Sequence, residues 1–185
     1  MSPNEVQSQA RRRWFDRRFE FGLPREAFPD ILERVRGTPA RLEERARRLG
    51  RGMLVRRVGE AWSIQENVGH LSDLEGLWAA RLDDFLQGVE RLRAADLQNK
   101  KTHEARHNER PIEELLSAFR RARLNTVERL EALGPADLER TALHPRLVQP
   151  MTVIDHFFFV AEHDDHHLAA IGELIRASRF RGGEA

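Results

Sequence analysis

The chain of 185 residues contains no cysteine. This absence excludes disulfides, thiolate zinc sites and cysteine nucleophiles, so any metal would have to be held by histidine, aspartate or glutamate. Lysine is almost absent as well, since Lys100 and Lys101 are the only two and arginine supplies all other basic side chains. A net charge of +1 lacks the concentrated positive field on which nucleic-acid binding depends. We therefore expect no nucleic-acid partner.

Long hydrophobic runs are missing too. No window approaches the about 18 continuous apolar residues of a membrane span, and the N-terminal sequence MSPNEVQSQARRRWF lacks the apolar segment of a secretory signal. We expect a cytoplasmic protein that has no membrane partner. Hydrophobic residues make up 40% and charged residues 33% of the chain, which is ordinary for a helical protein. The length favours a single domain over residues 1–185, with a core at about 38–177.

Helical periodicity extends over nearly the whole chain. The strongest amphipathic segment is WSIQENVGHLSDLEGLWAARLDDFLQG, in which Ser63 and Glu66 form a capping-box signature and Gly88 ends the helix. Pro111 predicts a long helix to about residue 133, and Thr152 caps a last one to about residue 177. Together with a helix in the first fifty residues, these segments predict an all-α four-helix bundle with short extra N-terminal helices.

The remaining segments give weaker signals. Residues 5–20 predict a short helix with a solvated arginine face, and FPDILERVRG predicts another. Thr38 and Pro39 then look like the start of a separate helix, as N-cap and first helical residue. The polar stretch from Val89 to Arg110 predicts an ordered loop, and ALHPRLVQP predicts a connection punctuated by proline.

The segment VAEHDDHHLAAI, residues 160–171, concentrates three of the eight histidines. His163 and His167 are four apart, so on a helix they share a face and could hold one divalent ion. His163 with His166, three apart, is the competing pair. Because phenylalanine, valine, leucine and isoleucine surround these histidines, their burial would be unfavourable without a partner such as a metal.

A third ligand should come from a facing helix, and His70 lies close to the apolar stripe of the strongest segment. Glu66, Asn67 and Asp73 lie within about one turn of it, where they could accept the second imidazole N–H. His156 is about 10 Å from His163 along the axis, too far to share the ion, so we expect a structural or substrate-binding role.

With these two segments in place, the chain resembles the DinB-like superfamily, which includes bacillithiol-transferase and mycothiol-dependent isomerase relatives. The matching features are WSIQENVGHLSDLE and AEHDDHHLAAI, in the expected order. The family motif, a histidine on the second helix and His-x-x-x-His on the fourth, selects His70, His163 and His167. Leu168, Ala169 and Ala170 follow the last ligand where many relatives have RGQ, which indicates a different branch.

The resemblance implies an up-down-down-up bundle, a homodimer and one divalent ion, nickel or zinc, on the three histidines. It also implies a metal-dependent hydrolase or a transferase that uses a low-molecular-weight thiol as cosubstrate, acting on a small molecule. Three protein ligands leave a coordination position open, as in catalytic sites. The alternative is a non-catalytic stress-response protein in which the metal stabilises the bundle or senses a ligand.

Several further residues are candidates for the chemistry. Glu66 and then Asp73 are the first choices for a general base, and His166 could contribute from the other helix. In the loop KKTHEARHNER, His103, His107 and Asn108 could bind an anionic substrate if the loop folds over the site.

Two other metal-dependent classes fit the sequence poorly. A zincin protease needs glutamate after its first helix histidine, where this chain has Asp164. A di-iron bundle needs two Glu-x-x-His pairs on helices, and Glu104 with His107 is the only such spacing.

Overall fold

The structure, a computed structural model, describes residues 11–181, and within this range helices dominate. None of the helices described there is long and apolar enough to cross a membrane. In chain order the elements are α1 (Phe28–Ala46), α2 (Arg51–Leu54), α3 (Ile64–Gln87), α4 (Lys100–Glu104), α5 (Ile112–Glu131), α6 (Pro135–Leu138), β1 (Thr141–His144), β2 (Gln149–Thr152) and α7 (Val153–Arg181), with 3-10 turns at Trp14–Asp16, Arg25–Ala27 and His107–Glu109.

The ends of the long helices follow from local sequence. Ser63 accepts the Glu66 N–H while the Glu66 carboxylate accepts the Ser63 N–H, which forms the predicted capping box of α3. Gly88 ends α3 in the left-handed conformation at φ 70°. The hydroxyl of Thr152 accepts the Asp155 N–H and so caps α7, as its position before the apolar run predicts.

The long helices α1, α3, α5 and α7 form a four-helix bundle. Each packs mainly against two others: α1 and α3 both lie against α5 and α7. Consecutive long helices α1 and α3 therefore occupy one diagonal of the bundle, and α5 and α7 occupy the other. This arrangement differs from a simple up-down bundle, in which consecutive helices are neighbours.

Contacts along the helices give their directions. Between α1 and α7, residue numbers rise together from the Arg34–Glu162 ion pair to the bond between Arg45 and the Leu168 carbonyl, so these helices are parallel. By the same criterion, α3 and α5 are parallel, whereas α1 is antiparallel to α5 and α3 is antiparallel to α7. These directions confirm the predicted up-down-down-up order. The defining contacts are Glu75–Arg123 and Asp83–Arg129 for α3 with α5, Glu43–Arg120 and Arg36–Glu131 for α1 with α5, and Asn67–His167 and Trp78–His156 for α3 with α7.

A polar layer divides the bundle interior into two apolar clusters. One cluster contains Leu82, Phe85 and Phe157, and the other contains Leu71 and Phe119. Between them each long helix contributes one buried polar side chain to the layer. These are Thr38 from α1, Glu75 from α3, Arg123 from α5 and Asp164 from α7.

The guanidinium of Arg123 is the centre of this layer. It is 1% exposed and bonds to both carboxylates, reaching Glu75 at 2.6 Å and Asp164 at 3.1 Å through Nη2. Thr38 donates its hydroxyl to Asp164 at 2.8 Å. Burial raises the pKa of Glu75 above its usual value although Arg123 opposes the shift. Two carboxylates thus share one buried cation, and all four helices meet at it.

The predicted boundary between two helices at Thr38 is wrong, because α1 runs without a break from Phe28 to Ala46 with Pro39 inside it. Proline lacks the N–H that would bond to the carbonyl of Val35. Arg123 supplies that missing donor from α5, with Nη1 at 3.2 Å from the Val35 oxygen. Tertiary contact thereby removes much of the unfavourable effect of an internal proline.

Three other sequence expectations also need correction. Of the helix predicted over 5–20, residues 5–10 lie outside the described range, and the rest contains only the turn Trp14–Asp16. The stretch 89–110 is not merely a loop, since it contains α4 and a 3-10 turn. The segment 141–152 forms a hairpin in which Thr141 pairs with Thr152, although no strand was predicted there.

We predict that Arg123→Met lowers the free energy of unfolding by about 3–5 kcal/mol, because it leaves two buried carboxylates without a cation. Urea denaturation followed by circular dichroism measures the change. Arg129→Met is the matched control, since Arg129 pairs with Asp83 at the partly exposed surface and should contribute about 1 kcal/mol or less.

Neutralising both carboxylates in the same chain should recover part of that loss. We expect Glu75→Gln with Asp164→Asn, added to Arg123→Met, to be more stable than Arg123→Met alone. A loss in Arg123→Met no larger than that in Arg129→Met would contradict a central role for the layer.

Candidate metal centre

Three buried histidines from the antiparallel helices α3 and α7 meet beside the polar layer. One candidate ligand atom from each of His70, His163 and His167 lies within 4.8 Å of the other two. The Nε2 atoms of His163 and His167 are 3.3 Å apart. Two nitrogens bound to a tetrahedral zinc at about 2.0–2.1 Å would be separated by about the same distance. His166, the competing partner of His163, is not part of this cluster.

Hydrogen bonds place the proton of His70 on Nδ1. Asp73 accepts the Thr102 hydroxyl at 2.9 Å and faces Nε2 of His107 at 2.8 Å. Burial acts to raise the pKa of Asp73, but the bonds with His107 and Thr102 outweigh that effect. The pKa is therefore lowered overall, and the carboxylate is ionised. Because the hydroxyl proton of Thr102 goes to Asp73, its oxygen accepts from Nδ1 of His70 at 3.0 Å. Nε2 of His70 therefore carries a lone pair, as a metal ligand must.

The side-chain amide of Asn67 fixes the tautomer of His167 in a similar way. The amide nitrogen of Asn67 donates to the carbonyls of Trp62 and Ser63, at 3.3 and 2.8 Å, which orients the amide. Its oxygen then accepts from Nδ1 of His167 at 2.8 Å. Nε2 of His167 carries a lone pair as well, directed at Nε2 of His163.

Aromatic contacts position the third histidine. The ring of His163 meets Trp14 edge-on at 4.9 Å between centroids, and Trp78 lies 5.9 Å away on a near-perpendicular plane. Its Nδ1 is buried and has no hydrogen-bond partner among the described residues. His163 is therefore held by packing, whereas His70 and His167 are held by hydrogen bonds.

Burial keeps the three imidazoles neutral. It lowers the pKa of His70 to about 4, with repulsion from His107 and His103 adding to the effect and Asp73 opposing it. Burial also lowers the pKa of His163 and His167 well below the usual value, and repulsion between the histidines adds to that shift. The Nε2 lone pairs of His70 and His167 and a ring nitrogen of His163 lie close enough together to bind one cation. The donor set therefore fits a divalent metal.

A cavity of about 620 Å³ is lined by all three histidines. Its walls are largely apolar and include the aromatic side chains of Trp14, Trp62, Trp78 and Phe159. Three exposed apolar side chains also line it, so the cavity continues to the surface: Phe15, Val58 and Leu97. The volume is in the range that holds a small organic molecule.

His166, predicted to take part in proton transfer, lines this cavity and bonds to Arg11. Burial and then repulsion from Arg11 and Arg17 lower the pKa of His166 to about 4, so the ring is neutral at physiological pH. Arg11 also pairs with Glu173 at 3.3 Å. Arg11 and Arg17 thus contact α7, whereas the other arginines of this segment, Arg12, Arg13 and Arg18, are exposed. The helix predicted to carry them is replaced by the turn Trp14–Asp16.

Glu66 and Asp73, the other two predicted acid–base residues, do not line the cavity. Glu66 completes the α3 capping box and pairs with Arg57. Burial acts to raise the pKa of Glu66, but the bonds from Arg57 and the Ser63 N–H outweigh that effect and lower the pKa to about 2. The geometry favours a capping role for Glu66. It also favours an indirect role for Asp73, which holds Thr102 and thereby orients the ring of His70.

The predicted substrate-binding residues of the 100–110 segment lie against α3 and do not line the cavity. His107 is buried so closely against α3 that a Cβ on Gly69 would lie 2.3 Å from its ring. Asn108 accepts the Ser63 hydroxyl at 2.7 Å, and His103 is exposed beside Trp62. The segment therefore supports α3 and, through Thr102, the ligand His70.

His156 also lies away from the cavity. It is fully buried among Trp78, Phe85 and Phe157, and neither ring nitrogen has a hydrogen-bond partner among the described residues. His156 is thus outside the cluster of His70, His163 and His167, as expected, and its structural or substrate-binding role stays a prediction.

Sequence reasoning missed several residues of the site. Thr102 lies in a stretch predicted to be a loop, and Trp14 lies in one predicted to be a short helix with a solvated arginine face. Arg81 had a detectable signal, because it lies three residues after Trp78 and four before Phe85, on the apolar side of its helix. His144 and Arg146 reach the cavity from the unpredicted hairpin.

Two solved structures share this architecture. YfiT from Bacillus subtilis, described as a probable metal-dependent hydrolase with an unusual four-helix bundle topology, superposes with a TM-score of 0.76 at 18% identity, over 88% of this chain and 93% of that one. A mycothiol-dependent maleylpyruvate isomerase superposes with a TM-score of 0.62 at 11% identity, and the match covers 81% of this chain and 61% of the isomerase. At these identities the likeness shows the fold alone.

Sequence comparison identifies the family. Among curated protein sequences, none matches the chain significantly. The sequence model of the DinB superfamily, in contrast, matches residues 11–171, which include the three clustered histidines and the aromatic residues around them. The chain therefore belongs to the DinB superfamily.

Proposed function

We propose that the protein is a metal-dependent enzyme that holds one divalent ion on His70, His163 and His167 and acts on a small molecule in the adjoining cavity. The observation that carries the proposal is the convergence of three neutral imidazoles in the wall of a cavity of about 620 Å³. Within the described range, no cysteine, aspartate, glutamate or further histidine joins them as a fourth ligand. A purely structural site would have a closed ligand set.

Zinc and nickel are the ions we propose, because imidazole nitrogen suits both. When bound, such an ion supplies Lewis-acid chemistry: it polarises a carbonyl or lowers the pKa of a water or thiol. Thr102 and Asn67 hold two of the imidazoles with Nε2 free, and Asp73 holds Thr102. The apolar walls would reduce the contact of a bound substrate with water.

His166 is the side chain we propose for proton transfer, since it lines the cavity in the neutral form. The bond from Arg11 stabilises that neutral form because it occupies a lone pair of the ring. A substrate that displaced Arg11 would free this lone pair to accept a proton.

Hydrolysis and thiol transfer both fit this arrangement. The hydrolase description of YfiT supports the first and the mycothiol dependence of the isomerase supports the second. A low-molecular-weight thiol would be kept reduced in the cytosol, which supports a cytoplasmic protein if the cosubstrate is such a thiol. The resemblance to the superfamily further supports a homodimer.

The metal content and activity of the protein test the proposal together. Protein purified without added metal should contain about one divalent ion per chain by elemental mass spectrometry. His163→Ala should lose the ion, and His103→Ala should keep it because His103 is exposed and outside the cluster. The wild type should then hydrolyse an activated ester or conjugate a thiol to an electrophile, and His163→Ala should not.

Absence of metal in the wild type, together with no affinity for zinc or nickel on titration, would overturn the metal site. A stoichiometric ion without turnover in either assay, and without binding of any small molecule in the cavity, would instead favour the non-catalytic alternative.

A second prediction concerns the bond that fixes His70. Thr102→Val preserves shape but removes the acceptor of the His70 Nδ1 proton, so zinc affinity should fall about 10- to 100-fold. Competition with a chromophoric chelator measures the affinity. Thr141→Val is the control, because the hydroxyl of this exposed threonine bonds, within residues 11–181, only to the nearby Glu139 carbonyl. Equal affinity in Thr102→Val and the wild type would contradict the tautomer argument.

A further inference from the structure

A second polar cluster lines the same cavity, one aromatic ring away from the metal centre. Trp78 lies 5.9 Å from the ring of His163 and, on another side, 5.6 Å from the guanidinium of Arg81. His144 and Arg146 line the cavity near Arg81. The proposed function assigns no role to these three residues.

Arg81 is a buried cation without a carboxylate partner. It is 1% exposed, and within the described range no aspartate or glutamate oxygen lies within salt-bridge distance of it. Its Nε donates to the carbonyl of Arg93 at 3.0 Å. The nearby carboxylate of Asp84 is bound by the side chain and the N–H of Arg93, both at 2.9 Å to the same oxygen. Burial of an unpaired guanidinium is unfavourable unless an anion joins it.

The hydrogen bonds around His144 also indicate that an acceptor is missing here. The main-chain N–H of Leu147 points at Nδ1 of His144, and Nη1 of Arg81 faces Nε2 of the same ring, both at 3.2 Å. Burial and then repulsion from Arg81 and Arg146 lower the pKa of His144 to about 3, so the ring is neutral. A neutral imidazole has one lone pair and accepts from only one of these two donors. The other donor requires an acceptor beside the ring.

Arg146 adds a second donor without an acceptor. Its Nη2 is buried and has no hydrogen-bond partner among the described residues. The guanidinium lies over the rings of Phe15 and Phe159, at 5.2 and 5.9 Å from their centroids. Like Arg81, it has no carboxylate within salt-bridge distance in the part of the chain that the structure describes.

We propose that Arg81, Arg146 and His144 form a subsite for the anionic oxygen group, a carboxylate or a phosphate, of a substrate whose body is apolar. Guanidinium groups bind both anions through paired N–H donors. The apolar body follows from the aromatic walls and from the exposed Phe15, Val58 and Leu97 that line the cavity. The inference rests on the proposed function in one respect: the same molecule would extend past Trp78 to the three histidines.

Binding of three probes tests the subsite: 3-phenylpropanoate, its neutral amide 3-phenylpropanamide, and phenyl phosphate. All three tryptophans line the cavity, so quenching of their fluorescence reports binding in the full-length protein. The acid should bind at least about tenfold more tightly than the amide. A stronger preference for phenyl phosphate over the acid would identify a phosphate as the natural group, and the reverse order a carboxylate.

Variants assign the preference to the arginines. Arg146→Gln should abolish the difference between acid and amide, whereas Arg146→Lys should keep part of it because the charge remains. Arg140→Gln is the matched control, since Arg140 is exposed on the segment before β1, pairs with Asp137 and does not line the cavity. Circular dichroism of each variant verifies the fold.

The metal-free variant His163→Ala separates this inference from the proposed function. The acid preference should survive in His163→Ala, because the arginines supply it. If it disappears there but persists in Arg146→Gln, the metal binds the anion and the arginine subsite is wrong. Equal binding of acid and amide by the wild type, or no saturable binding of either, would overturn the subsite while leaving the metal content unaffected.

Discussion

The buried guanidinium of Arg123 is the interaction on which the bundle and its site depend. It bonds to Glu75 on α3, to Asp164 on α7 and to the Val35 carbonyl that Pro39 leaves free on α1. A single side chain of α5 therefore contacts the other three long helices at one level. An apolar side chain there could fill the same space, but it could not fix how far each helix is rotated or shifted.

This constraint positions the metal centre through α7. Asp164 follows His163 directly, and successive helix residues are about 100° apart around the axis. Because Asp164 faces Arg123, the rotation of α7 is set and His163 and His167 face α3, where His70 lies. Thr102 and Asn67 then select the tautomers that leave Nε2 free on two of the rings. The fold thus determines the direction of the ligands, and the local hydrogen bonds determine their protonation.

The cavity combines two environments that need different partners. At the three histidines, neutral nitrogens converge into a donor set that fits a cation. At Arg81 and Arg146, guanidinium groups line the cavity with no carboxylate within salt-bridge distance among residues 11–181, and this setting favours an anion. Trp78 contacts both sites, since its ring lies 5.9 Å from that of His163 and 5.6 Å from the guanidinium of Arg81. One molecule with an anionic end and a reactive group a short distance away would satisfy both environments at once.

Much of this organisation could be predicted from the sequence, because it depends on local spacing. The His163–His167 separation, the Ser63–Glu66 capping box and the helix starting after Thr152 are patterns within one turn of helix. The continuity of α1 through Pro39 could not be predicted, since the donor that compensates for proline comes from Arg123, 84 residues later along the chain.

Several cavity residues could not be predicted either, because they reach the site through contacts between distant parts of the chain. Trp14 and Arg146 reach the site from irregular segments whose course is set by contacts with α7 and not by periodicity. The polar layer could be recognised in part from local sequence, because each of its charged residues interrupts an apolar stripe. Glu75 lies between Leu71 and Trp78, Arg123 between Phe119 and Val127, and Asp164 between Val160 and Leu168. Three charges at core positions on three helices indicate a buried ion network even before the helices are assembled.

The central claim is that three histidine nitrogens bind one metal and leave a coordination position facing the cavity. Anomalous diffraction from crystals of the protein, recorded above the absorption edge of the bound metal, tests it most directly. We expect one anomalous peak at about 2.0–2.2 Å from Nε2 of His70, His163 and His167, with any remaining ligand a water or small molecule in the cavity. A peak elsewhere, no peak after soaking with zinc or nickel, or a fourth side chain completing a closed site would contradict it.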